Sequence, residues 1–132
     1  MKALLVVAHG SRRQASNEEV RRLCRRIRKE DGAEFDLVEA AFLELAAPSI
    51  VEGIEQCIAR GAEQVVVFPY FLSAGRHVSQ DIPAEVEKAR RRHPRTAIQL
   101  LPHLGAAPAV APLIVQLAGG WKDGDLDERP SP

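Results

Sequence analysis

Cysteine, tryptophan and net charge are scarce in this sequence, and each shortage argues against a class of protein. The 132 residues include two cysteines and one tryptophan, and 18 basic residues balance 18 acidic ones. With no net field, nucleic acid and anionic membranes are not favoured as partners. Cys24 and Cys57 lie in helical patterns, outside any CxxC or Cys/His spacing, which indicates reduced thiols and a cytoplasmic location.

Long apolar runs are also missing. The run in MKALLVVAHGS stops at His9, too short for a spanning helix and without a cleavage-type ending, so we expect a first strand there. The arginine-rich stretches RRLCRRIRKE and KARRRHPR have no aromatic residues between their charges, and we interpret them as solvated helix faces. A chain that is 45% hydrophobic can fold as one domain without a disulfide or a structural metal.

Strand and helix patterns alternate along the chain. Pro48 is expected to open the second helix, and Asp81 to start the third with Pro83 in its first turn. The predicted strands are 2–8, 35–43, 64–70 and 96–101, and the predicted helices are 15–30, 48–60, the segment from Asp81 to His93, and 108–117.

This order predicts an α/β domain with a small four-stranded parallel sheet and helices on both faces, a flavodoxin-like arrangement. The pattern does not fix the strand order. We expect the domain to cover residues 1–118. Residues 119–132 are polar and rich in glycine and proline, which predicts a disordered tail with Trp121 as its one anchor.

Ionisable side chains follow each predicted strand. His9 comes after the first strand, Glu44 after the second, His77 after the third and His103 after the fourth. Because the carboxyl ends of parallel strands share one edge of the sheet, we expect these groups to meet there. Two imidazoles and a carboxylate suit a divalent transition metal such as cobalt, iron, nickel or zinc, and could equally serve as bases.

Simpler interpretations stay open for several of these residues. Glu44 could cap the second helix near Pro48, and His103 could cap a strand end. His93, at the end of a helix, is interpreted as a partner of the helix dipole and nothing more.

An ordered set of motifs carries a resemblance to a known family. The motifs are HGSR at 9–12, FLE at 42–44 with Pro48, FLSAGRHV at 71–78 followed by DIP at 81–83, and LG at 104–105. Together they resemble the class II chelatases of the CbiX/SirB type, over about residues 2–117.

The resemblance implies insertion of a divalent metal, cobalt or iron with nickel as a third candidate, into sirohydrochlorin for cobalamin or sirohaem synthesis. The metal is then a substrate, and no prosthetic group is expected. The family's metal-binding and proton-accepting residues carry over to His9, Glu44 and His77. A histidine often found after the leucine-glycine of the fourth loop is alanine here, in LGAAP.

Several loop residues are candidates for substrate binding. Phe71 and Leu72 offer apolar surface to a macrocycle, although they could instead pack beneath the loop. Arg12 and Arg76 suit the substrate's peripheral carboxylates, whereas Arg13 could equally be a solvated charge. The motifs add three further candidates, which are Ser11, Ser73 and Gly75.

Assembly and two alternative functions complete the predictions. Relatives with two such domains in one chain imply that a single-domain chain assembles as a homodimer. HGSR at a strand end also resembles the histidine phosphatases, so a histidine-dependent phosphotransfer enzyme is the alternative, although Ala8 stands where that chemistry wants an arginine. A non-catalytic metal-binding module is the third reading.

Overall fold

The four strands form one parallel sheet in the order β2–β1–β3–β4. The computed structural model describes residues 1–30 and 32–120. Its elements are β1 (Lys2–Ala8), α1 (Gln14–Arg28), β2 (Leu37–Phe42), α2 (Ile50–Ala59), β3 (Gln64–Pro69), a π-helical turn (His77–Asp81) that runs into α3 (Ile82–Arg92), β4 (Ala97–Leu100), a 3-10 turn (Leu104–Ala106) and α4 (Val110–Gly119). The predicted α/β class and flavodoxin-like arrangement are confirmed.

The two faces of the sheet have separate apolar cores because strand side chains alternate. On one face, α2 and α3 cover a core that includes Leu5, Val67 and Ile54. On the other, α1 covers a core that includes Val6 and Phe42. Helices therefore lie on both faces, as predicted, but α4 packs on neither.

The second helix begins at Ile50, two residues after the proline that was predicted to open it. Ser49 is the N-cap, and its hydroxyl accepts a hydrogen bond from Glu52 N–H at 3.2 Å while the Glu52 carboxylate accepts one from Ser49 N–H at 3.1 Å. These bonds hold the pKa of Glu52 below its usual value. Pro48 precedes the cap, and its carbonyl instead accepts from Phe42 N–H at 2.9 Å. The prediction that Pro48 opens the helix was wrong because the reciprocal cap sets the start.

The last helix also differs from its prediction. It begins at Val110 rather than 108 and runs to Gly119, so the predicted tail boundary at 119 falls inside its last turn. Trp121 and the rest of the predicted tail lie outside the described residues. No helix in the described ranges has the length and apolar character needed to cross a bilayer.

Candidate active site at the carboxyl rim of the sheet

His9 and Glu44 lie side by side where β1 and β2 end. The pairing of the two strands continues past Ala8 and Phe42, because Leu43 N–H donates to Ala8 O and Glu44 N–H donates to His9 O, each at 3.0 Å. The side chains meet as well, with His9 Nε2 3.2 Å from Glu44 Oε1. Backbone hydrogen bonds thus set the spacing of this pair.

Gly10 makes that close approach possible. Its φ is 94°, in the region that favours glycine, and a Cβ built there would overlap the carbonyl oxygen of Glu44. A side chain at position 10 would therefore push the two loops apart.

Asn17 holds the same loop from beneath. It is the buried polar residue among the described ones, with 1% of its surface exposed. Its Oδ1 accepts from Ser11 N–H at 3.0 Å and its Nδ2 donates to Ser11 O at 2.8 Å. We did not predict this residue from the sequence. The available signal was a polar residue on the apolar face of α1, three positions before Val20 and seven before Cys24.

His77 faces His9 from the π-helical turn. The ring centroids are 5.4 Å apart and the ring planes are inclined by 69°. His77 Nδ1 lies 2.7 Å from Asp81 Oδ2, one turn further on. As predicted, α3 follows Asp81 and has Pro83 in its first turn, but the Asp81 backbone is already helical and its side chain caps nothing. Its carboxylate contacts His77 instead.

Hydrogen bonds assign the tautomer of both imidazoles. His9 Nδ1 lies 3.1 Å from Gly10 O, and His77 Nδ1 contacts Asp81, so both Nδ1 atoms face an acceptor and carry the proton. Each Nε2 is then the ring atom available to a metal or an incoming proton. His9 Nε2 and Glu44 Oε1 face each other at 3.2 Å, and a nitrogen and an oxygen ligand side by side suit a transition-metal cation.

A shallow cavity of about 240 Å³ opens beside Glu44 and His77. The residues that line it are Leu43, Glu44, His77, Asp81, Ala84 and Glu85. Three carboxylates and an imidazole make it a suitable approach for a cation. Within residues 1–30 and 32–120, no three His, Cys, Asp or Glu side chains form a ready-made metal cluster. His9 and His77 are each about half exposed, so solvent reaches the site.

A larger cavity, with a volume of about 380 Å³, lies elsewhere, near the edge strand β2. Its charged side chains are already engaged. Arg60 bonds Glu39 at 2.7 Å, and Arg21 donates to Ala47 O at 3.4 Å. We assign the chemistry to the smaller rim cavity because the free nitrogen and oxygen donors are there.

The remaining predicted residues lie around the rim with different exposures. Phe71 is half-buried and packs against the core under α2 and α3, which is the alternative left open for it, whereas Leu72 is 74% exposed. Ser11 is half-buried, and its hydroxyl accepts from Arg13 N–H at 3.0 Å. The other exposed candidates are Arg12, Ser73, Gly75 and Arg76.

The structure also bears on the simpler interpretations of Glu44, His103 and His93. Ser49 caps α2, so Glu44 does not. His103 is half-buried and its side chain does not cap the 3-10 turn that follows it. The interpretation of His93 as a partner of the helix dipole and nothing more was wrong, because its Nε2 lies 2.8 Å from Glu55 Oε2 of α2.

The fold and the rim together define a parallel α/β domain with an imidazole–carboxylate site at a strand-end cleft. The CbiX family model matches residues 3–119. The chain belongs to the CbiX family, which confirms the resemblance drawn from its motifs.

Individual relatives agree with this membership. Over 116 residues the chain is 31% identical to the sirohydrochlorin ferrochelatase of Priestia megaterium, covering 88% of this chain and 43% of that protein. It is 38% identical over 94 residues to the sirohydrochlorin cobaltochelatase of the same organism, covering 71% of this chain and 30% of that protein. The chain thus spans less than half the length of either curated relative.

A solved structure matches the chain from end to end. The putative cobalamin (vitamin B12) biosynthesis CbiX protein from Marinobacter aquaeolei VT8 superimposes with a TM-score of 0.73 at 28% identity, covering 98% of this chain and all of that one.

Proposed function

We propose that this chain inserts a divalent metal ion, cobalt or iron, into sirohydrochlorin, as a lyase of the class II chelatase type. Membership of the CbiX family and the names of the two Priestia relatives support the activity and the substrate. The observation that carries the proposal is the contact of His9 Nε2 with Glu44 Oε1 at 3.2 Å, with the His77 ring 5.4 Å from His9.

The reaction needs two things from the protein. A hydrated ion must exchange water for protein ligands, and two pyrrole N–H groups must lose their protons. Imidazoles titrate near neutral pH and bind transition metals, so they can serve both needs. In the proposal, His9 and His77 offer their Nε2 atoms to the metal or to a pyrrole proton.

The two carboxylates have different roles in this proposal. Glu44, beside His9 Nε2, attracts the cation and accepts or relays a proton. Asp81 accepts the Nδ1 proton of His77, so it positions that ring without touching the substrate.

Substrate binding falls to the exposed residues of the rim. Arg12 and Arg76 would pair with the peripheral carboxylates of the macrocycle, because guanidinium groups bind carboxylates through paired donors. Leu72, being exposed, offers apolar surface to the ring, with Phe71 supporting it from the core side. Ser11, Ser73 and Gly75 complete the proposed binding surface.

The phosphotransfer alternative fits the rim less well. A phosphoryl group on His9 would place negative charge beside the Glu44 carboxylate, 3.2 Å from Nε2, and like charges at that distance repel. The same carboxylate attracts a cation. A metal-binding module without catalysis could have the same rim, so only an assay of metal insertion distinguishes it from a chelatase.

We further propose that the working unit is a cytoplasmic homodimer. The rim of one copy covers one side of a large flat macrocycle. Removal of the pyrrole protons in a site shielded from water requires a second protein wall on the other side of the macrocycle. Relatives more than twice as long could supply that wall within one chain. Here a second copy would supply it, related by two-fold symmetry.

Insertion can be followed by absorbance, with sirohydrochlorin and Co²⁺, Fe²⁺ or Ni²⁺ added in turn. We expect wild-type turnover with cobalt or iron, and about 100-fold slower insertion in His9→Ala and in His77→Ala with the fold intact. His93→Ala is the matched control, because His93 contacts Glu55 at the far end of α3, and it should retain full turnover. Full turnover in either rim variant would contradict the assignment.

A further inference from the structure

The residue directly after Glu44 has an unusual backbone conformation. Among residues 1–30 and 32–120, Leu45 is the one residue other than glycine with a positive φ, which is 65°. In this left-handed region the Cβ atom crowds the following carbonyl oxygen, so the conformation suits glycine and is disfavoured for leucine. The structure on either side of Leu45 must therefore hold it there.

Contacts before and after Leu45 impose this conformation. On one side, Glu44 N–H donates to His9 O at 3.0 Å. The Glu44 carbonyl also lies so close to Gly10 that a Cβ at position 10 would overlap its oxygen. On the other side, Ala46 packs against the core under α1. The chain has the single residue Leu45 in which to turn between these two fixed positions.

The same turn leaves the Leu45 side chain in solvent. Its exposed fraction is 53%, although leucine is among the residues most often buried. A single exposed leucine is ordinary on a protein surface. An exposed leucine in a left-handed backbone is disfavoured in two respects, because glycine or asparagine suits the backbone better and a polar side chain suits the solvent better. This combination indicates a contact that forms only when a ligand is bound.

A second exposed leucine lies on the opposite side of His9. In the sheet, β1 leads to His9 and runs between β2, which leads to Leu45, and β3, which leads to Leu72. Two strand spacings separate β2 from β3, a distance of about 10 Å. Leu72 is 74% exposed. The imidazole–carboxylate site thus has an exposed apolar side chain on either side of it.

This arrangement suits a broad apolar ring better than a metal ion. A leucine side chain has no ligand atom and gives nothing to a hydrated cation. It does gain free energy when it packs against an apolar surface, in proportion to the area that leaves water. Two such side chains flanking His9 would support a flat ring at two points.

We propose that Leu45 binds the macrocycle and aligns it over His9 and Glu44, and that its left-handed backbone displays the side chain for this contact. The inference rests on the chelatase proposal above and specifies a contact to its substrate, sirohydrochlorin. With Leu72 on the other side of His9, the ring is held at two points and keeps its pyrrole nitrogens near the imidazoles.

Three substitutions at this position separate the side chain from the backbone. Leu45→Gly and Leu45→Asn both suit the left-handed conformation, but neither keeps the apolar side chain. Leu45→Met keeps an apolar side chain of similar size and is the matched control. The affinity for sirohydrochlorin is measured by absorbance titration without metal, and KM and kcat are measured by insertion of Co²⁺.

We expect the affinity for sirohydrochlorin to weaken by about 5–10-fold in Leu45→Gly and in Leu45→Asn, because an apolar contact is lost. The KM for sirohydrochlorin should rise in parallel, with kcat and the KM for Co²⁺ unchanged. Leu45→Met should bind like the wild type. Leu45→Gly and Leu45→Asn should unfold at the wild-type temperature or above it, because relief of the backbone strain offsets the loss of a half-exposed side chain.

Three outcomes would overturn the inference. The first is wild-type affinity for sirohydrochlorin in Leu45→Asn. The second is an equal loss of affinity in Leu45→Met, which would mean that the shape of the loop matters and the apolar contact does not. The third is a lower unfolding temperature in both Leu45→Gly and Leu45→Asn, which would show that Leu45 supports the fold.

The two measurements also keep this inference apart from the chelatase proposal. A wild type that inserts metal, with unchanged binding in Leu45→Asn, would refute the role of Leu45 and leave the chelatase proposal standing. A wild type that binds sirohydrochlorin without inserting metal would refute the chelatase proposal, and weaker binding by Leu45→Asn would still support the contact. A wild type that does not bind sirohydrochlorin would refute both.

Discussion

His77 Nδ1 contacts Asp81 Oδ2 at 2.7 Å, one turn along the same helical segment. This contact fixes the ring's tautomer and points the Nε2 edge away from the carboxylate, toward whatever binds at the rim. A carboxylate behind a metal-binding histidine commonly changes metal affinity or activity by about 10–100-fold.

Removing the Asp81 carboxylate should therefore slow metal insertion. We expect a loss of about 10–100-fold in kcat for Asp81→Ala and a smaller loss for Asp81→Asn, which keeps an acceptor oxygen. Both variants should unfold at the wild-type temperature, since the pair is about half exposed. Glu87→Gln, on the outer face of α3 beside Arg90, is the control, and unchanged kinetics in Asp81→Ala would contradict the positioning role.

Gly10→Ala should both destabilise the fold and disable the site. The new Cβ meets the Glu44 carbonyl in a backbone conformation with φ of 94°, so we expect a loss of about 1–3 kcal/mol in the free energy of unfolding. Turnover should fall because His9 and Glu44 separate. Urea unfolding measures the first effect. Gly75→Ala, where the added Cβ meets nothing within 4 Å, should leave the stability unchanged or slightly raised.

Asn17→Ala should loosen the loop that carries His9. The substitution leaves Ser11 N–H and C=O without their buried partner, at a cost of about 1–3 kcal/mol measured by urea unfolding. Insertion should also slow at temperatures where the variant is fully folded. Gln14→Ala, at an exposed position in the first turn of α1, should change neither quantity. An unstable variant with normal turnover would show that Asn17 supports the fold alone.

The contact between Glu55 and His93 should make stability depend on acidic pH. The hydrogen bond from His93, aided by Arg92, lowers the pKa of Glu55 from its usual value of 4.5. A carboxyl group whose folded-state pKa is lowered stabilises the fold above the unfolded value and stops doing so as pH falls through the lowered value.

Comparing wild type with Glu55→Gln tests that dependence. The wild type should be the more stable protein at neutral pH, and its advantage should shrink as pH falls below 4.5. Chemical unfolding at a series of pH values measures the difference. Glu19→Gln, on an exposed part of α1, should follow the wild-type curve, and an advantage that grew on acidification would reverse the sign argued here.

The sequence by itself determined the element order, the parallel sheet and the residues that follow each strand. Apolar runs of strand length alternate with segments of helical spacing, and these local patterns depend only on which side chains must leave water. The same logic places His9, Glu44 and His77 at one edge, because parallel strands end together. The motifs around them identified the family.

Tertiary structure decided what local patterns do not encode. Asp81 has the chemistry of a helix cap, yet it binds His77, because the π-helical turn makes its backbone helical before the side chain can cap. In the sequence Asn17 is an ordinary polar residue. Its role follows from the fold, which places the backbone N–H and C=O of Ser11 within hydrogen-bond distance of its side chain.

The last helix illustrates the same limit at larger scale. Its apolar face is plain in the sequence, but whether such a face packs inside its own chain depends on the path of the connection. Here Gly105, whose N–H donates to Phe71 O, holds the chain against the third loop shortly before α4 begins, and α4 buries none of its residues. Hydrophobic spacing specifies that a surface must be covered, while the geometry of the folded chain decides what can reach it.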